Sequence, residues 1–358
     1  MVRSVSLLKR LQKSATGLPP LSVIVTSSVL MGLGSCTSTL TPETTTTLDR
    51  AAISAETEDL QVITTFLPIT QFTQAVVGDR AEVTQLIPLS AGPHHYQARP
   101  EEIQNLAGAD VLVQNGLEME VFLEDMIANA NNANLVIIDS SEGIATIATT
   151  DLEDAQTENA PHNHHQHEHS PSAKDEAVHR HGEFSPHIWL DPKRAIQQVA
   201  NIRDGLITVD PAGEAEYRAN AATYIADLQA LDEEIAAILA PYAGRTFVAF
   251  HDLASYFAES YNLKAEFLVD TPDENPSPED VKRIIDTVAT SNLKALLIEP
   301  QVGAGGFEAL ASDLNIQVSS FDPIETGGPE ALDPEYYLTI MRQNVQHLET
   351  AFGASTQF

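Results

Sequence analysis

The chain is short of cysteine, of bases and of long apolar runs. Cys36 is the one cysteine in 358 residues. No disulfide framework can form within the chain, and no metal site can be built from its thiolates. Internal metal ligands must therefore be histidine or carboxylate. Nineteen Lys and Arg stand against 51 Asp and Glu, a net charge of −32. Phosphate binding needs a basic face, so nucleic acid is excluded as a partner. A field of that sign attracts cations, although it also keeps a secreted protein soluble. The apolar run from Leu21 to Leu33 covers about 13 residues, against the ~20 a transmembrane helix needs. There is no H-E-x-x-H sequence and no short-period repeat.

What is present begins with a targeting segment. Arg3, Lys9, Arg10 and Lys13 precede the apolar run, the order of a secretory signal. Leu33-Gly34-Ser35-Cys36 resembles a bacterial lipobox, which places Cys36 where lipidation follows cleavage. Residues 1–35 are thus expected to be a lipoprotein signal peptide. Residues 36–58, rich in Thr and Ser, are expected to be a flexible tether.

From residue 59 onward, β-branched runs alternate with helical patterns. Gln61–Phe66, Ala81–Pro88, Ala109–Gln114 and Asn134–Asp139 read as strands, and helices are expected at Ile69–Val77, from Pro100, and at Glu118–Ala130. Asp191-Pro192 and Asp210-Pro211 each combine a capping residue with a proline suited to the first turn. The second opens a helix to about Leu239. Tyr217, Ala221, Tyr224, Leu228, Leu231, Ile235 and Ile238 mark its apolar stripe at three- and four-residue spacings. Strands resume at Thr246–Phe250, Ala265–Val269, Ala295–Glu299 and Ile316–Phe321, with helices between, and Pro334–Phe352 closes the chain. The expected architecture is α/β: two parallel-sheet lobes joined by a long rigid linking helix, with a metal site in the cleft between them. The lobes are expected at 59–209 and 241–358, and the linker at 210–240.

Eight of the twelve histidines lie between Pro161 and Trp189. His162, His164, His165, His167, His169, His179 and His181 sit in a polar, low-complexity segment at about 150–185, a composition that suggests metal binding. His187 instead leads into the apolar Ile188-Trp189-Leu190. In open parallel sheets, sites form outside the carboxyl ends of the strands. His94 and His95 lie a few residues beyond the second strand, His251 follows the fifth, and Asp322 follows the last. Three imidazoles and a carboxylate suit tetrahedral zinc. Spacing alone leaves His94 and His95 as alternatives.

Four segments carry a resemblance to a known family: Gly92-Pro93-His94-His95-Tyr96-Gln97-Ala98-Arg99-Pro100, Ser185-Pro186-His187-Ile188-Trp189-Leu190-Asp191-Pro192, Phe250-His251-Asp252 with Tyr256-Phe257, and Ser320-Phe321-Asp322-Pro323. The chain from about residue 58 resembles the metal-binding solute receptors of ABC importers, the cluster A-I group, and within it the zinc branch. The resemblance selects His94 over His95 and implies the ligand set His94, His187, His251 and Asp322, with water as the alternative to Asp322. Histidine at 251, where manganese members usually carry glutamate, favours zinc. Gly92 departs from the acidic or polar residue that often precedes this Pro-His pair. Glu299-Pro300-Gln301 is a further family-like feature without a ligand role.

The resemblance implies a monomer that captures Zn2+ outside the cytoplasm, is held to the bacterial membrane by a lipid on Cys36, and hands the ion to an ABC importer permease. The seven loop histidines are expected to be weak accessory sites. Two alternatives are a zinc-dependent hydrolase and a lipid-anchored adhesin of the same fold. The hydrolase would need an open coordination position and a nearby general base, and no carboxylate is clearly placed for that role. His165-Gln166-His167-Glu168-His169 fits an H-x-x-E-H pattern but lies in the polar segment rather than on a helix.

Overall fold

Short β-branched strands and proline-initiated helices alternate twice along the chain, and each run folds into its own parallel sheet. The computed structural model describes residues 60–94, 96–149, 183–272, 275–291, 295–301, 305–314 and 316–353. The first run contains β1 (Gln61–Thr64), α1 (Leu67–Val77), β2 (Glu82–Gln85), α2 (Pro100–Ala107), β3 (Val111–Gln114), α3 (Leu123–Ala130) and β4 (Val136–Asp139). The second contains β5 (Thr246–His251), α6 (Ser255–Ser260), β6 (Lys264–Val269), α7 (Pro278–Thr290), β7 (Ala295–Ile298), α8 (Gly305–Leu314), β8 (Gln317–Ser320) and α9 (Pro334–Gly353). Between them lie α4 (Pro192–Val209) and α5 (Glu214–Leu239).

The sheets have the same plan, β2-β1-β3-β4 and β6-β5-β7-β8, with every pairing parallel. In each, the chain moves outward one way and then returns past its first strand. The crevice where strand order reverses is where ligands bind in such sheets. It opens beyond β1 and β3 in one lobe, and beyond β5 and β7 in the other.

Helix α5 runs 26 residues, about 39 Å at 1.5 Å per residue. Tyr217, Ala221, Tyr224, Leu228, Leu231, Ile235 and Leu239 are its buried residues. Leu239, rather than Ile238, completes the stripe. Near its start, Asn220 donates to the Val76 carbonyl of α1. Near its end, Glu234 pairs with Arg342 of α9 at 2.9 Å, and Asp232 accepts from Tyr261. One helix therefore lies along both lobes. Phe72 of α1 fills the seam, 6.1 Å ring to ring from Tyr224 and 4.9 Å from Tyr337 of α9.

Two helix starts differ from the sequence expectation. Asp191 caps α4 as expected, accepting from the Lys193 backbone. Asp210 does not cap; its carboxylate takes Arg80 and Tyr217 instead, and α5 begins after a 3-10 turn at Pro211–Gly213. The helix expected from Glu118 starts at Leu123, because Gly116, Leu117 and Glu118 all have positive φ (86°, 56° and 59°). Among the described residues, no helix is long and apolar enough to cross a membrane. Cys36, the signal segment, the tether and the seven loop histidines lie outside the described residues. The segment carrying those histidines leaves and re-enters at one place, where Ala148 and Phe184 form an antiparallel bridge.

Candidate metal centre

His251 is the last residue of β5 and is fully buried. Its Nδ1 lies 2.6 Å from Oε1 of Glu299, the residue just beyond β7, and the same oxygen accepts the His251 backbone N–H at 3.2 Å. A proton held on Nδ1 by a carboxylate leaves the Nε2 lone pair for a metal. Burial alone pushes Glu299 up to about 8, opposed by the His251 N–H and by His94; a cation on the imidazoles favours the ionised carboxylate that this tautomer needs. The Gln301 side-chain amide donates to its second oxygen at 3.1 Å.

His187 stands before the 3-10 turn Ile188–Leu190 and is also fully buried. Both lobes clamp the extended segment that carries it. Asn115, beyond β3, donates to the Pro186 carbonyl at 3.0 Å. Tyr256 of α6 donates to the Ser185 carbonyl at 2.7 Å. Trp189 packs edge-on against Phe66, with centroids 5.0 Å apart. Its indole N–H donates to the Pro323 carbonyl at 2.8 Å, and the Tyr337 hydroxyl donates to the Trp189 carbonyl at 2.6 Å.

His94 is carried by the loop after β2, with its side chain 4% exposed. The fourth member is Glu325, on the loop after β8, whose side chain is 1% exposed. His94 Nε2 lies 3.0 Å from Glu325 Oε1. His187 Nε2 is 3.4 Å from His94 Nε2 and 3.3 Å from His251 Nε2. One ligand atom from each of the four residues falls within 4.8 Å of all the others. Zinc bonds of 2.0–2.1 Å in a tetrahedron require ligand–ligand edges of about 3.3–3.4 Å. The two imidazole–imidazole separations match that edge, while Glu325 Oε1 lies nearer to His94, at 3.0 Å, and farther from His187, at 3.8 Å. Three neutral imidazoles and one carboxylate present a borderline-soft donor set with a single negative charge, ill suited to Ca2+ or Mg2+.

Of the four sequence candidates, the structure brings together His94, His187 and His251. It does not bring Asp322 to them. The Asp322 carboxylate turns back on its own chain and accepts the Ile324 N–H at 2.8 Å. Glu325, three residues on, takes the place expected of it. An aspartate before proline commonly bonds the backbone two residues ahead, which accounts for the turned-back Asp322 carboxylate but does not by itself point to Glu325. Gly92 fits the same arrangement. A Cβ there would meet Glu325 Oε2 at 3.4 Å, so the missing side chain leaves room for an oxygen from the other lobe. A cavity of about 620 Å3, lined by Gly92, Tyr96, Gln97 and Gln301 among others, reaches His94 and Glu325 of the four.

The chain is similar to known zinc-handling proteins. Residues 62–351 match the family model described as zinc-uptake complex component A, periplasmic. The zinc-binding protein AdcA of Streptococcus pyogenes serotype M6 is 29% identical over 291 residues, 81% of this chain and 55% of that protein. The chain thus spans about half the length of the first curated relatives it matches. The high-affinity zinc uptake system protein ZnuA of Bacillus subtilis is 28% identical over 302 residues, 84% of this chain and 90% of that protein. Among solved structures, the Zn(II)-bound ZnuA-like domain of Streptococcus pneumoniae AdcA is 25% identical with a TM-score of 0.65, covering 83% of this chain and all of that one.

Proposed function

The chain belongs to the family of periplasmic zinc-uptake components, and on that premise we propose that it is an extracytoplasmic receptor that captures Zn2+ and delivers it to an ABC importer permease. The observation that carries the reading is the convergence of His94, His187, His251 and Glu325, from segments up to 231 residues apart, on one ion-sized space. The two relatives compared in sequence are named for zinc binding or uptake, and the donor chemistry here is that of zinc. A full set of four protein donors suits binding and transfer of an ion. Hydrolysis would need a position kept open for water, and the family is one of solute receptors.

The remaining parts of the reading rest on sequence. Cys36 is the lipid attachment that holds the receptor to the membrane. His162, His164, His165, His167, His169, His179 and His181 are weak accessory sites that raise the local zinc concentration. The receptor acts as a monomer, with residues 59–209 and 241–358 as its lobes.

Calorimetry on the His251→Ala variant tests the reading. His251 is the member whose tautomer is set by its own carboxylate, and its loss removes a fixed donor. The expected result is disappearance of the single tight zinc site. A tight site of unchanged affinity would rule the assignment out.

A further inference from the structure

The loop after β8 that carries Glu325 is held in an unusual backbone state. Ile324 has φ +62° and is fully buried. A β-branched residue in the left-handed region is a genuine outlier and persists only where its surroundings enforce it. The residues on either side are fixed. Asn344 of α9 accepts the Asp322 N–H and donates back to the Asp322 carbonyl, each at 2.8 Å. The Pro323 carbonyl is held by the Trp189 indole, and the Gly327 N–H donates to the Leu89 carbonyl at 2.8 Å. At Ile324 itself, the Asp322 side chain closes the turn by accepting its N–H at 2.8 Å. Without that acceptor, Ile324 is released toward ordinary negative φ, which rotates the following peptide and turns Glu325 away from the imidazoles.

We propose that Asp322 is a positioning residue: its carboxylate holds Ile324 in the left-handed turn and so aims Glu325 at the metal. This rests on the reading of Glu325 as a zinc ligand. Asp322 itself stands outside the four-residue group, so its effect passes through Glu325. A hydrogen-bond acceptor is what the turn needs, and charge at 322 is incidental to it.

The test is a zinc competition titration against a chelator on the full chain, paired with Co2+ absorption spectra. The variants are Asp322→Asn, Asp322→Ser, Asp322→Ala, Glu325→Ala and the Asp322→Ala/Glu325→Ala double. Outer residues of this kind typically cost 10–100-fold in metal affinity when removed, so Asp322→Ala is expected to weaken zinc about tenfold or more. Its Co2+ spectrum should shift toward that of Glu325→Ala. Asn retains the accepting oxygen, so Asp322→Asn should stay within about threefold of wild type. Asp322→Ser, whose hydroxyl makes the same turn more weakly, should fall between and serves in place of Ala if that variant does not fold. In the Glu325→Ala background, Asp322→Ala should add little. Equal losses for Asn and Ala, or losses that multiply in the double variant, would overturn the proposal and make Asp322 an independent ligand. Unchanged affinity in Glu325→Ala alone would instead overturn the ligand reading beneath it.

Discussion

Glu120 is a buried carboxylate pulled in two directions. It accepts the Thr65 hydroxyl at 2.7 Å and the backbone N–H groups of Asn115 and Gly116 at 2.8 and 3.2 Å. Those donors favour its ionised form, but burial outweighs them and pushes it up to about 7 from 4.5, with Asp139 adding to the rise. The folded state therefore holds this proton more tightly than the unfolded chain, and the group costs stability that is absent below about pH 4.5, grows as pH rises, and is complete above about pH 7. The cost is on the order of 3 kcal/mol, at 1.36 kcal/mol per pKa unit. Glu120→Gln cannot ionise. Its stability relative to wild type, from urea melts at several pH values, should rise by roughly that amount across the window. A difference that stays flat would show that Glu120 does not titrate there. The residue matters to the site because Asn115, in the loop it organises, holds the Pro186 carbonyl. At this scale the histidines were legible in the sequence, since each lies after a strand or beside a proline in a distinctive segment. Glu325 was not. Its placement depends on a left-handed Ile324, and an isoleucine gives no sign of such a turn where a glycine would have.

The helices that join the lobes were mostly readable because their burial is one-sided. The three- and four-residue spacing of α5 named six of its seven buried positions, and Asp191-Pro192 marked the entry of α4, whereas α5 begins only after the 3-10 turn that follows Asp210. What spacing could not show was the left-handed run Gly116–Glu118, which delays α3 although the apolar pattern continues through it. It also could not show what the stripe of α5 packs on. Phe72 answers that, standing fully buried between Tyr224 and Tyr337. It joins α1 of the first lobe to α5 and to α9 of the second. Phe72→Ala should cost about 3–5 kcal/mol, the usual range for emptying a buried phenylalanine site. Urea unfolding measures this directly. A loss below about 1 kcal/mol would mean that the seam repacks without it, and that the lobes are held by other contacts.

Two sheets of identical strand order face their switch points toward one cleft, and the chain's wide separations in sequence become ångström separations there. His94 and His187 come from the first lobe and its following loop, and His251 and Glu325 from the second. Neither lobe holds the full donor set, so the four donors come together only where the two lobes meet. The acidic excess of the chain supplies a long-range attraction for cations, and the buried site supplies the selection. The alternating pattern showed the two lobes and the class of site. The exact fourth donor required the three-dimensional path of the loop after β8.

The central claim is that one zinc ion binds to His94, His187, His251 and Glu325. Anomalous diffraction at the zinc edge from crystals of the zinc-loaded chain tests it most directly. The account predicts one strong peak in the cleft, bonded to the three Nε2 atoms and a Glu325 oxygen at about 2.0–2.2 Å, with Asp322 still turned onto the Ile324 N–H. A peak elsewhere, or one ligated by Asp322 with Glu325 displaced, would contradict it.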